Sequence, residues 1–380
     1  MTLAFEILLW LGAGLWIVFL VQMILNWALV PDVSRVASDP PVKWPLVSIV
    51  VPARDEERGI REAVASFCEQ NYPAFEVIVV DDGSTDATPR ILAELQAHYP
   101  NLRVVQGQEP PDGWLGKPNA LEIGRRHARG DWLLFVDADV VYAPELLRRA
   151  LRYVLSQKAA MLFLHPRLST GGVFEAVIMS SLYVAPFAAF PMFLVSRTRG
   201  GWPAIGGGMF NLVRRDALEA CGAFECLRNA VVDDVELGRA VKRAGFRQVV
   251  ALSGPLIRLR MYDGARASIE GFTKNIYPLV RAHPWGALFP FAVGAVVSIL
   301  PYCGFLARLA AGSVSVPASI SLVCMHAILA GLAIHFRQPW YIAFLNPLRE
   351  VCWWWILIRS AVQYHSRGLV WRGRTYDTSK

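Results

Sequence analysis

The chain is predicted to be an α/β domain, with a mostly parallel sheet covered by helices on both faces, held between apolar helical segments at both ends. Three observations lead there. The composition is 54% hydrophobic and 18% charged, and the charges concentrate between Asp32 and Arg281, leaving the ends nearly bare. From Pro45 onward, short β-branched runs alternate with helical stretches. Polar and acidic residues directly follow three of those runs.

Residues 1–31 read as a membrane anchor. Residues 7–30 carry no charge, and a helix of that length exceeds the ~30 Å hydrocarbon core. The acidic start (Glu6) and the lack of a small-residue cleavage site argue against a cleaved signal peptide. The central domain is placed at 45–262. Its expected strands are 46–51, 75–80, 102–105 and 132–136, with helices over 57–70, 89–98 and 117–128. Continuous apolar strands separated by helices imply a parallel sheet buried on both faces. Ligands bind such sheets beyond the carboxyl ends of the strands.

Residues 176–196 are apolar and contain Pro186 and Pro191. A single crossing would put the motifs on either side of it on opposite faces of a membrane. An interfacial or re-entrant segment beside an acceptor is the first reading, and a buried core helix the second. Residues 263–283 place Ile269, Phe272, Ile276 and Leu279 on one helical face, with Arg266, Lys274 and Arg281 elsewhere. Either a helix lying on an anionic membrane or a core-packed helix fits that stripe.

In the region 284–362, residues 284–307 and 309–334 are uncharged and long enough to span. Residues 340–358 are interrupted by Asn346-Pro347 and carry Arg349-Glu350, a costly pair at mid-membrane. With three crossings, the tail 363–380 (Arg367, Arg372, Arg374 and Lys380 against Asp377) lies in the cytoplasm, as the positive-inside rule prefers. Residues 340–358 are therefore expected at the interface or re-entrant, with the catalytic domain facing the cytoplasm. The net charge of +7, without a run of five basic residues, favours a membrane surface over nucleic acid as partner. The six cysteines show no CxxC pair and no zinc spacing, and read as reduced thiols.

The chemistry sits at the strand ends. Pro52 and Glu56 follow the first strand in VPARDE, Asp81 and Asp82 follow the second in DDGSTD, and Asp137 and Asp139 follow the fourth in DAD. Each motif alone has an ordinary use as a turn or helix cap; three at successive strand ends are far more specific. Oxygen ligands of this kind suit Mg²⁺ or Mn²⁺, which in turn holds a diphosphate. The two DAD carboxylates can share one ion only if the chain turns there. Lys117, in GWLGKPNA at a helix start, is well placed for phosphate. Asp233 and Asp234 precede an amphipathic helix, where one acid can cap while the other accepts a proton.

These motifs, in this order and spacing, resemble the family 2 inverting glycosyltransferases with the GT-A, Rossmann-like fold. GWLGKPNA and the tail WRGRTY at 371–376 look most like membrane enzymes that glycosylate lipids, similar to ceramide glucosyltransferases and carotenoid- or hopanoid-associated glycosyltransferases. The resemblance implies a nucleotide-sugar donor, a UDP-sugar first among candidates, and a lipid acceptor. Glu56 and Asp82 would contact the nucleoside. Pro52, Asp81, Lys117, Asp137, Asp233 and Arg260 would complete the donor site. Asp139, with Asp137, would hold Mg²⁺ or Mn²⁺, and Asp234 would be the general base. The 206–208 glycines would bring backbone close to the acceptor side. The Q/R-x-x-R-W element of processive members is absent, its nearest counterpart being RLRMY at 258–262, which leaves Arg258 and Arg260 as rivals for the pyrophosphate. A polysaccharide synthase and a catalytically inactive nucleotide-binding scaffold are the competing readings.

Overall fold

The computed structural model describes residues 3–36, 41, 43–230, 232–262, 264–282, 284–367, 369–371 and 374–376, with backbone alone at 275, 278–282, 284–293, 295, 367, 369–371 and 374–376. The chain opens with α1 (Leu3–Leu29). It then alternates β1 (Val47–Ala53), α2 (Ile60–Cys68), β2 (Phe75–Asp81), α3 (Thr88–His98), β3 (Leu102–Gln106), α4 (Gly116–His127) and β4 (Trp132–Phe135). Next come β5 (Val140–Tyr142), α5 (Leu146–Ser156), β6 (Met161–His165) and β7 (Arg167–Leu168). Short helices α6 (Val173–Met179) and α7 (Ser181–Val184), a π-helical turn (Ala185–Ala189) and α8 (Met192–Val195) precede β8 (Asn211–Arg214), α9 (Arg215–Ala220), α10 (Asp233–Arg243), β9 (Gln248–Leu252) and β10 (Ile257–Leu259). The remainder is α11 (Ala265–Ala282), α12 (Pro284–Ala310), α13 (Val316–Phe336), a 3-10 turn (Trp340–Ala343), α14 (Asn346–Arg367) and the strands β11 (Leu369–Trp371) and β12 (Arg374–Tyr376).

Two compact units result. The first comprises Leu29–Ser169 and Met192–Met261. Its main sheet has the order β3-β2-β1-β4-β8-β6-β9, parallel except for β8, which runs antiparallel to β4 and β6. The inner strands are buried along their length, which is why they read as unbroken apolar runs. Helix α4 lies on β1 and β2 because Gly124 lets it approach: a Cβ there would fall 2.3 Å from Val50 Cγ1. An alanine would gain about 1 kcal/mol of helix propensity. Overpacking a filled core costs about 1–3 kcal/mol, and a contact this short puts Gly124→Ala at the upper end. We expect that variant to unfold at lower temperature in detergent than the parent protein; an unchanged transition would mean that α4 is not pinned there.

The second unit comprises Met1–Ala28, Thr170–Pro191 and Tyr262–Lys380. The continuous domain expected at 45–262 is thus interrupted, and residues 170–191 belong with the apolar helices. Their backbone explains why. Asn26 Nδ2 donates to the carbonyls of Phe187 and Phe190, each at 2.9 Å, and Gln22 Nε2 donates to Ala188 O at 2.6 Å. These bonds take up carbonyls around Pro186 and the π-helical turn. Tyr183 stacks on Phe336 at 4.0 Å, and Phe187 packs on the same ring. In the stretch 176–191 these contacts tie the segment to α1 and α13, as either a buried helix or a re-entrant segment would be tied. The last of the apolar run, α8, lies in the sheet unit.

Among the described residues, α1 and α13 are long and apolar enough to cross a membrane. Helix α12 spans 27 residues. Glu6, near the start of α1, pairs with Arg308, near the end of α12. Trp27, near the end of α1, meets His335, near the end of α13, at 4.6 Å. Helix α1 is thus antiparallel to α12 and parallel to α13, the arrangement that three crossings require. Asn346-Pro347 begins α14 instead of breaking a helix, and Arg349 and Glu350 pair at 2.8 Å in its first turns. The α11 stripe packs on α14: Phe272 and Ile276 are buried, Phe272 meets Trp353 at 4.8 Å, and Arg266 and Lys274 are exposed. That is the core-packed alternative for 263–283. The side chains of Leu279, Arg281, Arg367, Arg372, Arg374, Asp377 and Lys380 lie outside the described residues.

Candidate active site

The predicted residues gather at the carboxyl ends of β1, β2 and β4. Parallel register pairs Pro52 with Val80 and Ala53 with Asp81. Val50 pairs with Phe135 on the other side, so Asp137 follows β4 level with Pro52. Strand register alone therefore brings VPARDE, DDGSTD and DAD to one edge.

The first two loops are stitched together. Asp55, at φ 52°, donates its N–H to Ser84 Oγ (3.0 Å) and accepts from the Thr85 N–H through Oδ1 (2.7 Å). The Glu56 N–H donates to Thr88 Oγ1 (2.8 Å), and Asp86 accepts from the N–H groups of Glu57 and Thr88. Ser84, Thr85 and Asp86 are thus used up in structure. So is Asp81, buried and accepting the Ser84 N–H. Asp82 is buried too, with Arg54 Nη1 at 3.8 Å from its carboxylate. Gly107, after β3, lies against it: a Cβ there would be 2.8 Å from the Asp82 Cα. Arg54 is a neighbour of Asp82 that sequence reasoning did not single out.

The second cluster centres on Lys117, in the first turn of α4. Its Nζ lies 2.8 Å from Asp137 Oδ1 and 3.7 Å from Asp233 Oδ1. The cation expected to meet phosphate is therefore engaged by carboxylates. Burial works against its charge, but Asp137, Asp233 and Asp234 outweigh burial and hold it protonated well above the usual lysine range. Burial pushes Asp233 and Asp234 above the ordinary carboxylate range, Lys117 pulls them back, and the Asp137 charge adds to the rise. With all three carboxylates ionised against one ammonium, this group would carry two surplus negative charges.

Residues 206–208 close the cluster. The Asp137 N–H donates to Gly208 O at 2.7 Å, and a Cβ on Gly208 would fall 1.9 Å from Asp137 Oδ2. A Cβ on Gly206 would fall 2.0 Å from Asp234 O. These glycines thus pack on the acids themselves. Two further residues hold the loop, and both escaped the sequence reading. Gln248 is fully buried and brackets Ile205, accepting its N–H at 3.3 Å and donating to its carbonyl. Gly238 admits Ile205 against α10, where a Cβ would meet Ile205 O at 2.7 Å. A lone glycine inside the α10 pattern was the available signal for that contact.

Asp139 is exposed in a turn at 138–139. Antiparallel pairing sets Leu259 opposite Val140 and Arg258 opposite Val141. Arg260 directly follows β10 and Asp139 directly precedes β5, so both lie at the same end of this pair. Arg258 pairs instead with Glu62 on α2. Among the described residues, no group of three His, Cys, Asp or Glu side chains could hold a metal by itself. Mg²⁺ and Mn²⁺ commonly bind through one or two carboxylates plus substrate phosphates. Asp137 and Asp139 fit that donor set, and the residual charge of the cluster matches a divalent ion.

The chain is similar to known glycosyltransferases. Residues 48–222 match the family model described as glycosyl transferase family 2. The 4,4'-diaponeurosporenoate glycosyltransferase of Staphylococcus aureus (strain USA300) is 27% identical over 347 residues, covering 88% of this chain and 89% of that protein. The mannosyltransferase PcManGT of Pyrobaculum calidifontis, solved in complex with GDP-Man and Mn²⁺, aligns with a TM-score of 0.58 and 22% identity, over 96% of this chain and 98% of that one. At that identity the second likeness is one of fold.

Proposed function

We propose that this chain, whose residues 48–222 match the family model described as glycosyl transferase family 2, transfers a hexosyl group from a nucleotide sugar to a hydroxyl of a lipid, with inversion, at a membrane. The observation that carries this reading is the convergence of Lys117, Asp137 and Asp233 with the 206–208 backbone around Asp234, at the ligand-binding edge of the sheet.

In this mechanism Glu56 and the Arg54–Asp82 pair receive the nucleoside, with Pro52 and Asp81 shaping the floor. Arg260, at the same end of the β5–β10 pair as Asp139, meets the pyrophosphate. A divalent cation held by Asp139 and Asp137 would screen the charge that develops on the departing nucleoside diphosphate. Asp234 accepts the proton of the acceptor hydroxyl. The freed oxygen bonds to the anomeric carbon from the face opposite the diphosphate, whose oxygen leaves with the bonding pair. The raised basicity of Asp234 suits a group that must take a proton from an alcohol. Lys117 and Asp233 hold Asp137 and Asp234 in place and temper their repulsion.

The acceptor is assigned to apolar lipids on two grounds. The curated relative acts on diaponeurosporenoate, a carotenoid-type lipid. The chain also adds apolar helices of spanning length to the sheet unit. A UDP-sugar is the preferred donor, and the sheet unit is assigned to the cytoplasmic face of the cytoplasmic membrane.

The test is transfer from radiolabelled nucleotide sugars into a total lipid extract, with Mg²⁺ or Mn²⁺ and with chelator. Label should enter the organic phase only with metal. Transfer surviving chelation would remove the ion from the mechanism. A high-mass aqueous product would establish a polysaccharide synthase, and donor binding without transfer to any lipid would establish the inactive scaffold.

A further inference from the structure

The loop leading into the 206–208 glycines carries a feature that the transfer chemistry does not use. In this loop Arg197, Arg199 and Trp202 are exposed, Trp202 by 64%. Arg243, at the end of α10, lies against it: a Cβ on Gly201 would be 2.9 Å from the Arg243 Cγ. Arg247 donates from Nε to Ser196 O at 3.4 Å, and both Arg197 and Arg247 lie near enough to the Tyr153 phenol to oppose the rise that burial causes in its pKa. No acid offsets these charges along the chain: residues 176–215 and 237–262 contain no Asp or Glu. The loop is also held in shape. Lys242 is fully buried and donates to Pro203 O (2.6 Å), Thr198 Oγ1 (3.0 Å) and Val195 O (3.2 Å). A floppy surface loop would not need a buried ammonium with three acceptors.

We propose that residues 196–203, with Arg243 and Arg247, form a docking surface for anionic lipid headgroups. Two arguments select this partner. Arginines near an anionic bilayer each add binding energy, and tryptophan favours the headgroup level. The chain enters this loop four residues after Thr170–Pro191, a segment of the apolar helical unit, by way of α8. Docking would present a lipid hydroxyl to the glycine loop that abuts Asp234, so Lys242 is a positioning residue. The purpose of the surface rests on the lipid-transferase reading, but its test does not.

The full chain would be placed in nanodiscs of phosphatidylcholine alone and of phosphatidylcholine with phosphatidylglycerol, and amide exchange followed by mass spectrometry. Exchange at 199–202 should be about fivefold or more slower with the anionic lipid, one arginine's contribution being worth about that factor. The difference should shrink in ~1 M salt, where the screening length is about 3 Å. It should vanish in the double variant Arg199→Gln, Arg243→Gln, with exchange across β1 unchanged as the control for folding. Equal exchange in the two discs, fast or slow, would overturn the proposal; it would also be the outcome if the loop's partner were a nucleic acid or an acidic protein. UDP binding, measured on the same samples, reads the donor site separately. Loss of that binding with lipid protection intact would count against the transferase reading alone.

Discussion

Asp234→Asn should lower sugar transfer by about 10³–10⁴-fold while leaving nucleotide-sugar affinity within about twofold, the upper range for removal of a positioned general base. Asparagine keeps the size of aspartate, so the first turn of α10 and the 205–208 loop should stay in place. It cannot take the proton of an alcohol. The expected pattern is a collapse of kcat with donor binding retained, read by single-turnover transfer and by donor titration. The acceptor's chemistry makes the experiment sharper. A carboxylate acceptor arrives already deprotonated and needs no base, although it would meet the surplus negative charge of Asp137, Asp233 and Asp234. Full activity in the variant would therefore reject Asp234 as base and turn attention to carboxylate acceptors.

Gly206→Ala should lower kcat by about 10²-fold, with the domain still folded. The added Cβ would fall 2.0 Å from Asp234 O and 2.5 Å from its carbonyl carbon. Both are backbone atoms, so no rotamer change relieves the clash, and either the loop or the start of α10 must shift. A displacement of about 1 Å at a reacting group can cost about 10² in rate. Gly207→Ala is the comparison. Its Cβ would meet side chains only, Met209 Sδ at 2.4 Å, which can swing aside, and the Phe163 ring at 2.9 Å, so the strain falls away from the Asp234 backbone. Activity in Gly206→Ala equal to that of Gly207→Ala would show that Asp234 is not positioned by this contact.

Much of the sheet unit was legible in the sequence because its information is local. Buried parallel strands must be apolar on both faces, and β1, β2 and β4 show this as largely apolar runs. Strand ends in such a sheet share an edge, so the motifs after β1, β2 and β4 could be placed together before any coordinates. The stripe on α11 was equally visible, but its partner was not. A helical stripe states only that one face must be covered, and α14 covers it as well as a membrane surface would. Residues 176–191 were ambiguous for a related reason: proline and apolar residues suit both a re-entrant segment and a buried helix, and nothing in the sequence signalled that Asn26 and Gln22, about 160 positions away, would take up the carbonyls of Phe187 and Ala188.

From its residues alone, this chain was determined to be an α/β domain with acidic strand ends between apolar helical termini, because hydrophobic period and charge segregation are properties of neighbouring residues. Only the tertiary structure decided that Lys117 sits among Asp137 and Asp233, that Gly206 and Gly208 lie against Asp234 and Asp137, and that Arg258 pairs with Glu62 on α2. These contacts join residues far apart in the chain through strand register and close backbone approach. A glycine's lack of a Cβ shows in the sequence, but what fills that space does not.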